Sequence, residues 1–413
     1  MAVMSPRSRS PRSKSGPPVS RDARLRLAAC AAAAALLQID GTIVTVALPS
    51  VGDELSVPAH SLSLVLTAYF VAYGVMLLPG GRLVDRLGSR RVALAGLATF
   101  AAGAVVGALA GSFEVLILSR VVQGVGAGLV SPASLAGAVS GYPPERRGAA
   151  LGLWGASSGI ANLIGPVIGG LLTVTIDWRA CWWFFVPAAA IVAWVVRRFV
   201  PATVYADERP DTAGLRQRVV GAAAAVAALT FLVMIGAFFI GQQYLQVAIG
   251  YSPLGAAAAL TLIAVMVGVG APLAGTFSDR YGERWTASVG FGATALGLLL
   301  LGIPGAPLHG LGALPLLIPF GIGIGLLFVP ASRAALNAVS QSKHGRVSSL
   351  LSMARLLGAG VGSGLAGLAL SGGVTSGHVH LALLVAAAAC VVIGIPAAAE
   401  LSPPRGHAVR KAA

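Results

Sequence analysis

Charge is scarce in this chain. Asp, Glu, Lys and Arg together make up 10% of its 413 residues, against about 25% in an ordinary soluble domain. So large a chain with so little charge cannot cover a water-facing surface, which excludes a soluble globular fold. Acidic residues are the scarcer sign, 14 against 29 basic ones. Three cysteines, Cys30, Cys181 and Cys390, are too few and too scattered for a disulfide framework or a metal centre. They are expected to pack as small apolar side chains. The histidines are scattered as well, and the loop pair His378/His380 offers only two ligands. No glycine loop followed by Lys-Ser or Lys-Thr is present, which excludes the nucleotide site of an ATP-driven pump. No nucleophile–base constellation appears either. An enzyme is excluded on these grounds, and no catalytic residue, metal or cofactor is expected.

Long hydrophobic runs are abundant instead. Hydrophobic residues make up 56% of the chain and mean hydropathy is +0.84. Twelve runs have membrane-spanning length: 27–49, 62–80, 91–110, 115–138, 149–172, 181–200, 219–248, 256–276, 286–304, 311–331, 346–371 and 379–399. The expected fold is therefore an all-α membrane protein, and its 54 glycines suit close helix packing in lipid.

The net charge of +15 is topological. Basic residues precede the first run and follow the second, fourth, sixth, eighth, tenth and last. The alternate connections hold only Arg179. This positive-inside pattern predicts a multi-pass protein with both termini in the cytoplasm. It leaves no reason to expect nucleic acid as a partner. The chain divides into a Ser/Arg-rich disordered tail (1–26), a six-helix bundle (27–200), a cytoplasmic linker (201–218), a second bundle (219–400) and a tail (401–413).

The two bundles repeat each other. GRLVDRLGSR (81–90) matches GTFSDRYGER (275–284), aligning Asp85 with Asp279 and Gly88 with Gly282. GVGAGLVSPAS (124–134) matches GIGIGLLFVPAS (321–332), with one residue inserted before the proline. Transporters built from repeats place their site between the halves near mid-bilayer and rock one half against the other.

The repeat is also an internal control, since a polar residue unique to one half is a better functional candidate than a shared one. Asp40 is the one carboxylate deep inside a hydrophobic run, and its partner run is uncharged there. Arg120 is similarly unique, with Leu317 at its counterpart position. Ionisable groups at this depth are costly and rarely decorative. At 1.5 Å per residue Asp40 lies roughly 15 Å, and Arg120 roughly 9 Å, from the same membrane face. The two are thus expected to pair, as a proton-coupling site or as a static ion pair. Other polar or aromatic groups in central runs are Gln38, Trp154, Asn162, Gln242, Gln243, Tyr244 and Gln246. Each would line a substrate cavity or satisfy a neighbour across a helix contact. Tyr69 and Tyr73 share one helix face. Arg355, roughly 13 Å past Arg346 in its run, would tune a gate, bind an anionic substrate or cap backbone carbonyls.

GRLVDRLGSRR resembles the loop signature of the major facilitator superfamily. LSRVVQGVGAG (118–128), with Arg120, Gln123 and Gly124, resembles its fourth-helix motif. GLWGASSGIANLIGPVIGG (152–170), with Gly165, Pro166, Gly169 and Gly170, is similar to the fifth-helix motif of its antiporters. IDGTIVTVALP (39–49) resembles the first-helix signature of drug:proton antiporters that usually have fourteen helices, although Thr45 replaces the usual asparagine. Ala161 stands where the antiporter motif usually has glycine. By its own reading, Gly81 and Gly88 allow a tight turn, and Asp85 can meet a helix N-terminus. The resemblance implies that this loop, with Gly81, Asp85, Arg86, Gly88 and Arg90 and their second-half relatives Asp279 and Arg280, gates the cytoplasmic side, the alternative for Arg90 and Arg91 being topology anchors alone. It implies further that the fifth-helix glycines seal the path between bundles against proton leak, the alternative being plain small-residue helix packing.

Together these readings predict a proton-coupled exporter of small amphipathic or hydrophobic compounds in a bacterial inner membrane. Its expected partners are substrate, protons and lipid, and a monomer is expected. The alternative is a proton-coupled or facilitative transporter of one metabolite.

Overall fold

A computed structural model describes residues 19–140, 142–143, 147–202, 218–306, 312–339 and 344–401. Most of the expected tails and linker, with Lys343, His309 and His407, therefore lie outside the described residues. All regular structure among the described residues is helical. We number the helices α1 (Arg21–Leu55), α2 (Ser63–Leu87), α3 (Ser89–Ala108), α4 (Phe113–Val139), α5 (Arg147–Thr175) and α6 (Ala180–Phe199) in the first bundle. The second holds α7 (Arg218–Ala248), α8 (Pro253–Tyr281), α9 (Glu283–Gly302), α10 (Pro315–Asn337), α11 (His344–Ala369) and α12 (Ser376–Ala399).

Helix ends follow local chemistry. The hydroxyls of Ser20, Ser112, Ser252 and Thr375 accept hydrogen bonds from Ala23 N, Val115 N, Gly255 N and His378 N at 3.1–3.4 Å. Each satisfies a backbone donor that the first turn leaves open. The Ser20 cap corrects one expectation: α1 starts at Arg21, so residues 21–26 are helix rather than tail. The long seventh run ends in a π turn at Tyr244–Ala248.

The repeat is visible in the backbone. Gly88 (φ 83, ψ 153) and Gly282 (φ 85, ψ 163) make the same turn between α2 and α3 and between α8 and α9. That region is essentially reserved for glycine. Gly124, Gly126 and Gly128 of α4 touch α2, α3 and α2 in turn, while Gly321, Gly323 and Gly325 of α10 touch α8, α9 and α8. The inserted residue before Pro330 has a visible effect. Helix α4 runs unbroken through Pro132, whereas α10 breaks at Phe328–Val329 and restarts at Pro330.

The α2–α3 and α8–α9 turns, with Arg82, Arg86, Arg90, Arg280 and Arg284, define a basic face. Arg218 at the start of α7 pairs there with Glu400 after α12 at 2.9 Å. The halves meet toward the opposite, far face. Thr67 on α2 bonds to Ser363 Oγ and Gly360 O of α11 at 2.9 and 3.1 Å. Gln246 on α7 donates to Val46 O of α1 at 3.1 Å.

Candidate functional site

Asp40 and Arg120 form a buried ion pair in the first bundle. Both are 0% exposed, and Arg120 Nη1 lies 2.9 Å from each oxygen of Asp40. Ile43, Val44 and Leu48 of α1 and Ala127 and Val130 of α4 belong to the same buried apolar core. The pair is not isolated. Gln123, one turn along α4, accepts from Arg120 Nη1 at 2.8 Å and donates to Asp40 Oδ1 at 3.2 Å. Arg120 Nε donates to Val65 O of α2 at 3.3 Å. The Tyr69 ring lies 4.2 Å from the guanidinium carbon, a cation–π distance. Tyr69 is itself held by donating to Leu37 O at 3.1 Å. Three helices thus converge on one carboxylate. Arg120 Nη2 has no hydrogen-bond partner although it is buried.

The other candidates divide. Gln246 bonds to Gln242 Oε1 at 2.9 Å as well as to α1, at the contact between halves. Gln243 is 0% exposed with both amide atoms unpartnered. Tyr244 instead lines a small apolar cavity inside the second bundle, with Leu260 and Phe320. Trp154 donates to Ser134 Oγ of α4 at 3.3 Å, and Gln38 and Asn162 are partly buried. These groups do not converge on Asp40. A cleft of about 480 Å³ opens on the far face beside Glu54, Ser112 and Glu114, and Asp40 does not line it. Among the described residues, no three His, Cys, Asp or Glu side chains group together as metal ligands.

The glycine motifs need two corrections. Gly81 does not help to form the turn. It lies within α2, where a Cβ would meet no atom within 4 Å, and Gly80 is the residue pressed against Gly128 O of α4. In α5 the glycines face different partners. A Cβ on Gly165 or Gly169 would meet Thr42, Ile39 and Ile43 of α1, within the same bundle. Only Gly170 of this set faces the other bundle, with Leu254 Cα of α8 at 2.8 Å from such a Cβ. Pro166 is buried between them.

The family model described as Major Facilitator Superfamily matches residues 30–363 and 223–412. The chain belongs to the Major Facilitator Superfamily. This transporter is 29% identical over 397 residues to the puromycin resistance protein pur8 of Streptomyces alboniger, covering 81% of this chain and 79% of that one. It is 25% identical to the riboflavin transporter RibZ of Clostridioides difficile, covering 79% and 83%. A stretch of 182 residues is 36% identical to an uncharacterized MFS-type transporter of Mycobacterium tuberculosis, covering 44% of this chain and 31% of that longer one. The fold matches a bacterial homolog of the human lysosomal transporter Spinster in an inward-facing, occupied conformation. There the TM-score is 0.75 at 19% identity, covering 92% and 97% of the two chains.

Sequence reading missed two charged groups of this transporter. Arg333 of α10 pairs with Asp279 at 2.6 Å and Glu283 at 3.5 Å, clamping the second basic turn to its own bundle. The repeat contains the signal, because Leu135 occupies the equivalent position after Ser134. On the far face, Arg179 pairs with Glu54 at 2.7 Å and stacks on Trp178, which donates to the same carboxylate at 2.7 Å. As the lone cation of the far connections, Arg179 was marked by its isolation.

Proposed function

We propose that the transporter exports small amphipathic or hydrophobic compounds in exchange for protons by alternating access, with Asp40 as the proton carrier. The observation that carries this reading is the fully buried Asp40–Arg120–Gln123 network. A carboxylate here cannot exchange charge with water at rest. Its ionised form is held by one guanidinium and one amide, and protonation removes the attraction that fixes Arg120. Arg120 also holds Val65 O of α2. Two residues further along, Thr67 makes the hydrogen bonds to α11 in the other half. Proton loading at Asp40 therefore acts next to the contact that must open when the halves rock. A proton moving down a 100 mV potential supplies about 2.3 kcal/mol. The puromycin resistance for which pur8 is named supports a drug as the substrate.

We also infer an inner-membrane location with both termini cytoplasmic, on the basic face that Arg218 and Glu400 share. A second reading, transport of a single metabolite, is favoured by the likeness to RibZ. Proton release from everted vesicles separates them, using lipophilic cations, neutral antibiotics and anions as challenges. Release with several unrelated compounds in the wild type, absent in Asp40→Asn, is the expected result. A response to a single compound class supports the metabolite reading, and a full response surviving in Asp40→Asn refutes Asp40 as carrier.

A further inference from the structure

Arg355 lies deep in the second bundle, with no carboxylate beside it among the described residues. At 1.5 Å per residue it stands about 16 Å along α11 from His344, near mid-bilayer. Among the described residues, its Nη2 donates a hydrogen bond to Ser332 Oγ of α10 at 2.7 Å. Its guanidinium carbon also lies 5.9 Å from the Phe231 ring of α7. Among the described residues it has no acidic partner, in contrast to Arg120, Arg179, Arg218 and Arg333. Its side chain is only partly buried. Ser332 lies in the first turn after the α10 break, where the helix dipole adds positive potential. The next residue on α11, Leu356, packs against Gly74 of the first bundle, which places Arg355 beside the boundary between halves.

A guanidinium at this depth that is neither neutralised nor fully solvated attracts an anion strongly. Its planar fork matches a carboxylate or phosphate oxygen pair. A lipid headgroup remains at the membrane interface and does not supply that anion at mid-bilayer. We propose that Arg355, with Ser332, binds an anionic group, a carboxylate or its like, on the transported compound, while Phe231 packs against its apolar body. This rests on the reading of the chain as a small-molecule exporter, and adds that the preferred substrates are amphipathic anions or zwitterions.

The test is equilibrium fluorescence titration of the full chain in nanodiscs with dansylglycine and with its methyl ester, empty nanodiscs being subtracted. The two probes differ only in the carboxylate. The wild type is expected to bind the acid roughly tenfold tighter than the ester, a difference of about 1.4 kcal/mol. Arg355→Gln should bring the ratio near one, and Arg355→Lys, which keeps the charge but not the planar fork, should retain only part of it. A wild-type ratio near one, or no saturable binding of the acid, overturns the proposal without any variant. It is equally overturned if Arg355→Gln keeps the ratio or weakens both probes alike. No proton gradient enters this measurement, so its failure leaves the Asp40 assay standing, and the reverse also holds.

Discussion

Gly88 and Gly282 turn the two bundles with almost the same backbone angles, and three glycines of α4 and three of α10 meet their neighbours in the same order. The charges on this common frame differ. The first bundle buries an ion pair at Asp40 and Arg120, where the second has Leu317 in place of the arginine. The second bundle has a surface clamp at Arg333, where the first has Leu135, and an Arg355 with no acidic partner among the described residues, beside a broken helix. What both halves share is packing, and what differs between them is the charge each holds at depth. The comparison teaches that the repeat supplies two similar jaws, and that each jaw was given its own polar chemistry.

Making the first bundle resemble the second should have the largest effect. Arg120→Leu leaves a buried carboxylate without its counter-charge, a loss of about 3–5 kcal/mol by the usual cost of breaking a buried pair. The expected outcome is a sharply lower thermal midpoint and no transport. Adding Asp40→Asn should recover much of the midpoint but none of the substrate-driven proton release. Should the double variant remain as unstable as the single one, the pair is not the source of the loss.

Packing should respond equally in both halves. A Cβ at Gly126 would approach Phe100 N to 2.6 Å, and one at Gly323 would approach Thr294 N to 2.5 Å. Gly126→Ala and Gly323→Ala should each destabilise by about 1–3 kcal/mol, as overpacking does. Matched drops in thermal midpoint support equivalence, whereas a drop confined to one bundle breaks it. At the turns, Gly88→Ala and Gly282→Ala place a side chain in glycine-only backbone space, at about 1–3 kcal/mol. The same melting experiment reads them, again with matched values expected.

The smallest effect should come from Arg333→Leu, which gives the second bundle the first bundle's residue. Asp279 is 70% exposed, and solvent-facing pairs contribute about 0–1 kcal/mol. Stability should barely move. Transport rate is the informative readout, since unclamping the second basic turn would change it only if that turn moves during the cycle.

Much of the frame was legible in the chain because lipid imposes simple demands. A helix must be long and apolar enough to satisfy its own backbone, so the twelve runs and their repeat were marked in composition and spacing. Asp40 and Arg120 stood out because charge at depth is costly and the other half lacks it. Gln123 appeared only as a motif letter, while the fold makes it the third member of the carboxylate network. Gly81 was assigned to a turn that Gly88 makes alone, because a glycine's neighbours in space cannot be read from its neighbours in sequence.

The sequence by itself determined the class of molecule, its helices, its two-fold repeat and the identity of its two charges at depth in the first half. It did so because hydropathy, charge and glycine spacing are local quantities. The packed fold decided that three helices meet on Asp40, that α5 turns Gly165 and Gly169 toward α1, and that Arg355 faces Ser332 and Phe231 with no acid beside it among the described residues. Those facts depend on the rotation of each helix about its axis. That rotation is set by the packing of all its neighbours at once, and it leaves no signature in any single segment.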